Sequence, residues 1–313
     1  MARPDIGAEG QLPHDPGAVF LDHIGHFVAD HDAAAEALVS LGFAPTPWTV
    51  QTNPDPDGGP PRLTGTGNRC VMFRQGYVEV LAKTADTPLA REFDRAVARY
   101  PGVHLIAFGT ADAATERARL AEAGFAVQPM VDLRRKVEDG SGAEVELAFS
   151  VARVVAGEME EGRIQFLTHR TEEAMWQPQM LDHPNGAESL TDQIVVVTDL
   201  EQANARWERF LARPSTPVAC GRTFRLERGR ITLCSVAHAS MAAPGDCPAP
   251  PAMIAYGVGV GDLAPLQGCL DRAGIAPVET APGRVTVAMP EALGIGVIHF
   301  LTDEADPPWL DGA

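Results

Sequence analysis

The chain has little of what several common protein classes require. Its 313 residues include only five cysteines, which are scattered, odd in number and without CxxC spacing. That usage is typical of a reduced cytoplasm and not of a secreted disulfide scaffold. No apolar run approaches the roughly 20 residues of a membrane helix, and the polar, Pro/Gly-rich start has no signal-peptide core. We therefore expect a cytoplasmic protein with no membrane partner.

Basic residues are also scarce. Lysine and arginine number 25 against 42 aspartates and glutamates, which gives a formal net charge of −17. Binding to nucleic acid needs cationic contacts to phosphates, so this balance predicts that nucleic acid is not a partner. The chain has no GxSxG elbow and no Walker loop, and its GVGVGD segment lacks the GxGxxG spacing of a dinucleotide site. These absences disfavour a serine hydrolase and a nucleotide-binding enzyme.

One short pattern occurs four times: an apolar strand, an aspartate that could cap a helix, an amphipathic stretch and a stop. The copies are FLDHIGHFVADHDAAAEALVSLGF, VHLIAFGTADAATERARLAEAGF, LTDQIVVVTDLEQANARWERFLAR and IAYGVGVGDLAPLQGCLDRAGI. In three copies the aspartate stands twelve residues before a glycine, and in the remaining copy it stands thirteen residues before an alanine. The pairs are Asp30 and Gly42, Asp112 and Gly124, Asp262 and Gly274, and Asp199 and Ala212. Such constant spacing indicates a repeated structural unit.

Each copy continues into alternating apolar and polar residues and ends in a β-prone segment. These endings read YVEVLA, RIQFLTH, RITLCSVA and GVIHFLT. A strand, a helix capped by aspartate and stopped by glycine, and about three further strands make a βαβββ module. The sequence therefore predicts an α+β protein of four βαβββ modules, and two pairs of modules agree with the two domains that the length suggests.

Proline- and glycine-rich stretches divide the modules. We expect a flexible leader over 1–17, an N-terminal domain with modules one and two over 18–175, a linker over 176–190, and a C-terminal domain with modules three and four over 191–313. The NPDPDGGPP stretch at 53–61 interrupts module one and is a candidate mobile flap beside its pocket.

Four polar residues occupy related strand positions in the first two modules. Strand alternation puts His23 and His26 on opposite faces, so these two do not form a local metal pair. His104 is the counterpart of His23 if one residue of slack is allowed before the aspartate, and Glu79 and Gln165 lie in the last strands of the two modules. If the modules pack side by side, this set suits a divalent metal such as Zn, Fe, Ni or Mn, with positions left open for substrate or water.

The chain resembles the vicinal oxygen chelate superfamily, and within it the glyoxalase-like proteins. The resemblance rests on LDHIGHFV with LVSLGF, on TGTGNRCVMFRQGYVEVLA, and on VHLIAFGT with LAEAGF, and it is a degenerate echo in modules three and four. In that family, paired βαβββ modules build open barrels that hold a metal on their first and last strands. The resemblance therefore implies two open, curled mixed β-sheet barrels, and one divalent metal ion held by His23, Glu79 and His104, with Gln165 as a fourth ligand.

Catalysis would need a residue that takes up protons. Some relatives carry glutamate at the Gln165 position, where it serves as ligand and base, and glutamine cannot take that part. His169 shares a strand face with Gln165 and Leu167 and has a side chain that titrates near neutral pH, so it is the candidate base. A surface position at the strand end is the alternative. His169 and Glu79 form the expected catalytic pair.

Four further residues are candidate substrate contacts. Thr66 and Asn68 could offer hydrogen bonds, although the neighbouring glycines equally mark a tight strand start. Arg134, with Arg135 beside it, could clamp a substrate carboxylate, with a solvated strand–loop pair as the alternative. Trp176 could cap the pocket or anchor the junction between the domains.

The second pair of modules has lost the ligand set. At the four corresponding positions stand, in chain order, Gln193, Cys234, Ile254 and His299. Because two of these side chains are poor metal ligands, we expect a C-terminal domain that is non-catalytic or that covers the substrate.

The resemblance implies lyase or isomerase chemistry on a small α-oxo or hydroxy-carbonyl substrate, which binds the metal through two neighbouring oxygens. Two alternatives stay open: an Fe(II) extradiol-type ring-cleaving dioxygenase, and a non-catalytic resistance protein that sequesters small toxic or drug-like molecules. The partner is a small molecule in each case. The sequence leaves a monomer and a homodimer equally open.

Overall fold

The chain folds as strand–helix–strand units in series. The structure, a computed structural model, describes residues 10–53, 55, 59–245, 247–303 and 307–310. Module one comprises β1 (Phe20–Phe27), α1 (His31–Ser40), β2 (Thr49–Asn53), β3 (Arg62–Met72) and β4 (Tyr77–Lys83). After α2 (Pro88–Arg99), module two comprises β5 (Gly102–Gly109), α3 (Ala113–Glu122), β6 (Val131–Glu138), β7 (Glu144–Arg153) and β8 (Arg163–His169).

The second half repeats this order. After α4 (Glu172–Met175), module three comprises β9 (Ala187–Val197), α5 (Leu200–Leu211), β10 (Thr216–Val218), β11 (Gly221–Arg225) and β12 (Arg230–Ser235). After α6 (Ala239–Ala242), module four comprises β13 (Ala252–Val260), α7 (Ala264–Ala273), β14 (Glu279–Ala281), β15 (Arg284–Ala288) and β16 (Val297–Leu301). Short 3₁₀ turns lie at Pro178–Met180, Val236–His238 and Glu291–Leu293. The prediction of four βαβββ modules is confirmed.

The repeated landmarks mark the ends of the module helices. Asp30, Asp112 and Asp199 each accept hydrogen bonds from backbone N–H groups in the first turn of the helix that follows. The stops are left-handed: three are glycines, and the fourth is Ala212, whose φ is 52°. Among the described residues, Ala212 is the one non-glycine residue with a positive φ. The constant spacing therefore corresponds to one helix per module, and in three of the four modules the aspartate is the N-cap residue.

Strands β1–β8 form the N-terminal cup. β1 and β5 pair antiparallel at its centre, with β4 parallel to β1 and β8 parallel to β5. The strand order is β2-β3-β4-β1-β5-β8-β7-β6. The outermost strands β2 and β6 contact each other, so the sheet curls around a hollow inner face. The predicted α+β class with an open, curled mixed sheet is confirmed.

Strands β9–β16 form the C-terminal cup, with the equivalent order β10-β11-β12-β9-β13-β16-β15-β14. Pairing of β13 with β5 joins the two cups into one sheet. Apolar side chains fill part of the inner face of the C-terminal cup. Val196, Cys234 and Ala255 from its strands pack in one buried cluster with Ala242 of α6 and with Trp309.

The predicted leader and flap lie partly outside the described residues, which begin at residue 10 and omit 54 and 56–58. The described end of the leader is packed and not loose. Gln11 is 1% exposed, and its side-chain amide donates to the carbonyl of Arg74. Arg228 donates to the carbonyl of Gly10. Residues 10 and 11 are therefore held against the body of the protein.

The stretch predicted as a linker is also packed. β9 begins at Ala187, inside that stretch. The buried Asn185 side chain donates to the carbonyl of Leu41 at 2.9 Å. The connection between the cups is therefore tied to module one. Among the described residues, no helix combines the length and the apolar character needed to cross a membrane.

Candidate functional site

The N-terminal cup encloses a cavity of about 440 Å³. Side chains from all eight strands line it, and they alternate along each strand because neighbouring residues face opposite sides. One lining residue from each strand, in the order β1 to β8, is His23, Gln51, Asn68, Glu79, Leu105, Arg135, Phe149 and Gln165. The volume is within the range of sites that bind small molecules.

A buried aspartate joins two histidines of the cavity wall. His23 Nδ1 lies 2.7 Å from Asp22 Oδ1, and His169 Nε2 lies 3.0 Å from Asp22 Oδ2. Because a carboxylate only accepts, both rings donate from these nitrogens. Burial alone would raise the pKa of Asp22, but the charges and hydrogen bonds of the two histidines hold it well below its usual range. Asp22 is therefore an ionised anchor for both rings.

The free nitrogens of these rings differ in their surroundings. His23 Nε2 faces Glu79 Oε2 at 4.0 Å, which is too long for a hydrogen bond. His169 Nδ1 is buried and has no hydrogen-bond partner within the described part of the chain. Tyr77 stacks on His23 with ring centroids 4.3 Å apart, and Trp176 packs edge-on against His169 at 4.7 Å. Each ring is thus held by an aromatic side chain and by Asp22.

Glu79 is fixed by an amide network that reaches β2 and β3. Its Oε1 accepts from Asn68 Nδ2 at 2.6 Å and from Gln51 Nε2 at 3.3 Å. Thr66 Oγ1 in turn donates to Gln51 Oε1 at 2.7 Å. Thr66 and Asn68 both line the cavity, Asn68 bonds directly to Glu79, and Thr66 acts on it through Gln51.

Gln165 occupies the position in module two that Glu79 occupies in module one. Glu79 pairs across the sheet with Gly25, and Gln165 pairs in the same way with Ala107. The side-chain oxygen of Gln165 accepts from Arg153 Nε at 2.8 Å. Gln165 and His169 both line the cavity, so the structure brings together His23, Glu79, Gln165 and His169.

His104 does not join this group, which corrects the expected ligand set. β1 and β5 pair with His23 opposite Ala107 and Gly25 opposite Leu105. Leu105, not His104, is therefore the counterpart of His23, and the slack of one residue is absent. His104 stands at a shift of register in this pairing and lines a second cavity, of about 430 Å³, which shares Arg153 and Arg163 with the first.

Arg134 and Trp176 do not line this cavity. Arg134 is on the outer face of β6, with 66% of its side chain exposed, and pairs with Glu146 at 2.7 Å. The next residue, Arg135, is the one that lines the cavity. Trp176 is buried behind the cavity wall, where its indole N–H donates to the carbonyl of Phe73 at 3.1 Å. Trp176 thus supports His169 and does not cap the pocket.

Sequence reasoning missed several residues of the site. Asp22 precedes His23 directly, and strand alternation would place it on the opposite face. A shift of register between Leu21 and His23 in β1 brings its carboxylate to the His23 ring. Arg163 stands two residues before Gln165, so period-two alternation was a readable signal for it. Tyr77 carries the same signal relative to Glu79.

Burial and charge combine around Glu79. Burial lowers the pKa of Arg153 to about 10 and lowers that of Arg135, while the negative charge of Glu79 opposes both shifts. Both guanidinium groups remain cationic at neutral pH. Burial also raises the pKa of Tyr77, and the carboxylates of Asp22 and Glu79 add to that rise. Tyr77 is therefore a neutral phenol beside His23.

The donor chemistry of His23, Glu79 and Gln165 fits a divalent metal. Asp22 binds Nδ1 of His23 and leaves Nε2 with its lone pair, as carboxylates do beside metal-binding histidines. Glu79 keeps Oε2 outside its hydrogen bonds to Asn68 and Gln51. Within the described ranges no three His, Cys, Asp or Glu side chains are grouped to hold a metal. A third protein donor would therefore have to be another side chain of the cavity wall, and the amide oxygen of Gln165 belongs to that wall.

Comparison of the sequence with protein families gives one result. The sequence model of the family described as Glyoxalase-like domain matches residues 21–211. This span includes the whole N-terminal cup and continues through α5. No curated protein matches the chain significantly by sequence.

Solved structures with a similar fold are remote in sequence. A hypothetical protein from Staphylococcus aureus aligns with a TM-score of 0.61 at 11% identity, over 91% of this chain and 99% of that one. A mutant of 4-hydroxymandelate synthase from Streptomyces coelicolor gives 0.57 at 16%, over 91% and 92%. The Mn(II)-bound glyoxalase from Novosphingobium aromaticivorans gives 0.54 at 12%, over 94% and 84%. At these identities the likeness establishes the fold alone.

Proposed function

We propose that this chain, which belongs to the glyoxalase-like domain family of the vicinal oxygen chelate superfamily, is a metal-dependent enzyme. It would catalyse a lyase or isomerase reaction on a small molecule. His23, Glu79 and Gln165 would hold one divalent ion, and the substrate would bind it through two neighbouring oxygens. The ion would polarise those oxygens and stabilise negative charge that develops on them.

One observation carries the proposal: His23 and Glu79 face each other inside the cavity in states suited to ligation. Asp22 fixes the tautomer of His23, and Asn68 and Gln51 fix the orientation of Glu79. A ring and a carboxylate that served only the core would be expected to bond to each other. At 4.0 Å the two donor atoms are not hydrogen-bonded to each other, so both would be available to an ion.

His169 supplies the proton-transfer group in this proposal. Its Nε2–H is held by Asp22, and Nδ1 is left without a partner among the described residues, on a side chain that lines the cavity. His169 would take a proton from the substrate at Nδ1, and ionised Asp22 would stabilise the resulting imidazolium. Gln165 takes no proton and would act only as a ligand. Apolar residues around the cavity, such as Leu105 and Leu133, would exclude water.

The test is the metal content of the protein purified without chelators, measured by inductively coupled plasma mass spectrometry. We expect about one Zn, Fe, Mn or Ni ion per chain, since the site offers one set of three donors. Glu79→Gln and His23→Gln should each lose most of it. His104→Gln is the matched control, because His104 does not line the cavity that holds His23 and Glu79, and it should keep the wild-type content.

Two results would contradict the assignment. Equal metal content in wild type and Glu79→Gln would show that the ion binds elsewhere. Absence of metal in the wild type, even after reconstitution with each of the four metals, would leave a metal-free cup that binds small molecules without this chemistry.

A further inference from the structure

Three arginines converge on the cavity of a protein that is acidic overall. Arg135 from β6, Arg153 from β7 and Arg163 from β8 all line the cavity, while the chain carries a formal charge of −17. The carboxylates that line the cavity are Glu79 and, at its rim, the exposed Glu138. Inside the cup the local charge therefore has the opposite sign to that of the whole protein.

The structure leaves these guanidinium groups incompletely bonded. Arg135 Nε is buried without a hydrogen-bond partner in the part of the chain that is described. Arg153 donates from Nε to the amide oxygen of Gln165, a neutral acceptor. Arg163 lies 3.8 Å from Glu92, which is a loose ion pair. A guanidinium has five N–H donors, and among the described residues these three groups make no hydrogen bond to a carboxylate of the cup.

The remainder of the lining is largely apolar. Leucine, valine, phenylalanine and methionine side chains line the cavity from β5, β6, β7 and β8 and from α4. They are Leu105, Val131, Leu133, Leu147, Phe149, Val151, Leu167 and Met175. Arg135 itself lies over the Phe149 ring, with its guanidinium carbon 5.6 Å from the ring centroid. The cavity thus offers cationic donors beside an apolar surface.

From this arrangement we propose that the cavity binds an organic carboxylate with an apolar body, and that Arg135 and Arg153 recognise the carboxylate. A carboxylate matches the fork of N–H donors on a guanidinium, and hydrogen bonds to a charged acceptor are stronger than those to a neutral one. The inference names the substrate class of the proposed enzyme and to that extent rests on the proposed function. The anion binding itself needs no metal.

The experiment compares 3-phenylpropanoate with 3-phenylpropanamide, which has the same shape and no charge. Isothermal titration calorimetry is run at pH 7.5 and low salt on the full chain after removal of metal with a chelator. We expect the acid to bind at least about tenfold more tightly than the amide. Arg135→Gln should weaken binding of the acid by about tenfold or more and leave binding of the amide unchanged.

The control is Arg134→Gln, which removes the same charge one residue away on the outer face of β6. It should change the affinity for the acid by less than about twofold, because exposed charges are screened by solvent and salt. Arg153→Lys and Arg153→Gln form a second pair. The lysine variant keeps the charge and should bind the acid more tightly than the glutamine variant does. Circular dichroism melting curves check that each variant is folded.

Three results would overturn the inference: equal affinity for acid and amide, equal weakening by Arg134→Gln and Arg135→Gln, or no binding of either probe at 10 mM. The metal content tests the proposed function independently of these titrations. Selective binding of the acid by a protein that never takes up metal would support the anion site and contradict the metalloenzyme. A metal-loaded protein without preference for the acid would support the metalloenzyme and contradict the anion site.

Discussion

Asp22 is the residue on which both histidines of the site depend. It is fully buried on β1 and accepts one hydrogen bond from His23 and one from His169. A carboxylate can serve two N–H donors at once because it has two acceptor oxygens and no hydrogen. An amide in its place would turn an N–H₂ group towards one ring, so the effect of a single substitution can be stated in advance.

We expect Asp22→Asn to lower the free energy of unfolding by roughly 3 kcal/mol, because it breaks a buried, charge-assisted pair of hydrogen bonds. It should also weaken metal binding by roughly 10–100-fold, since the carboxylate orients the His23 ring. Urea denaturation and metal titration give the two numbers. If the free energy of unfolding falls while the metal affinity stays at the wild-type value, Asp22 stabilises the fold only and His23 is not a metal ligand.

At the scale of the element, the register of β1 against β5 decides which residues meet in the cavity. His23 stands seven residues before Asp30, and Leu105 stands seven residues before Asp112. The pairing of the two strands agrees with that count. The inner face of β5 therefore offers a leucine where β1 offers a histidine, and a substitution there tests the equivalence of the two strands.

We expect Leu105→His to increase metal affinity by at least about tenfold, or 1.4 kcal/mol. It places an imidazole at the position on β5 that corresponds to His23. The cost is a loss of folding stability of roughly 2 kcal/mol in the metal-free protein, because a polar ring replaces an apolar side chain. Competition with a chromogenic chelator measures the affinity. An unchanged affinity would mean that the metal does not lie between β1 and β5, whatever the content of the wild-type protein.

The same register shows what the sequence could and could not predict. The modules were readable because Asp30 and its counterparts cap helices at a fixed distance from a left-handed stop. Residues within one strand were also readable: Gln165 and His169 do share a face. The sequence alone could not show whether His104 or Leu105 is the counterpart of His23, because that depends on the register between β1 and β5.

On β6 the sequence likewise could not show which of two adjacent arginines faces the cavity. Arg134 and Arg135 are identical side chains in the run DLRRKVE, where polar residues obscure the alternation. The buried Leu133 shows which residues of β6 face inwards, and Arg135, two residues later, lies on the same face. The contacts of Trp176 with His169 and Phe73 join residues far apart in the chain, and no local pattern predicts such contacts.

At the scale of the whole molecule, the two cups share a topology but differ in what occupies them. By register the positions of the site correspond in the second half to Asp192, Thr232, Ala255 and His299. Gln193 and Ile254 each stand one residue away from the corresponding position. Asp192 makes two 2.7 Å contacts with Arg230. His299 donates to the carbonyl of Ala242 in α6 at 2.6 Å. The polar side chains at these positions are thus hydrogen-bonded within the protein.

Buried histidines lie in both cups and at the contact between them. Burial lowers the pKa of His104 in the N-terminal cup and of His299 in the C-terminal cup to about 4. Burial also lowers the pKa of His26 to about 4. His26 Nδ1 donates to the carbonyl of Leu293 in the C-terminal half of the chain. All three rings are neutral in the folded protein at neutral pH, and each lies where a proton would be costly.

The pH dependence of stability follows with a definite sign. In the unfolded chain these histidines titrate with a pKa near 6.5, and in the folded protein with a pKa of about 4. Between those values the unfolded state binds more protons, so the free energy of unfolding is highest above about pH 6.5 and falls as the pH drops towards 4. By pH 5 each histidine should account for a loss of roughly 2 kcal/mol relative to pH 7.5.

We expect His104→Gln to be less stable than wild type at pH 7.5, because the hydrogen bond to the carbonyl of Tyr100 is weakened. Its further loss between pH 7.5 and pH 5 should nevertheless be smaller than that of wild type by roughly 2 kcal/mol. His299→Gln should show a reduction of similar size, since it removes an equivalent proton-binding difference from the other cup. Urea unfolding at the two pH values provides the comparison. Parallel losses in wild type and both variants would show that these rings are not the source of the acid sensitivity.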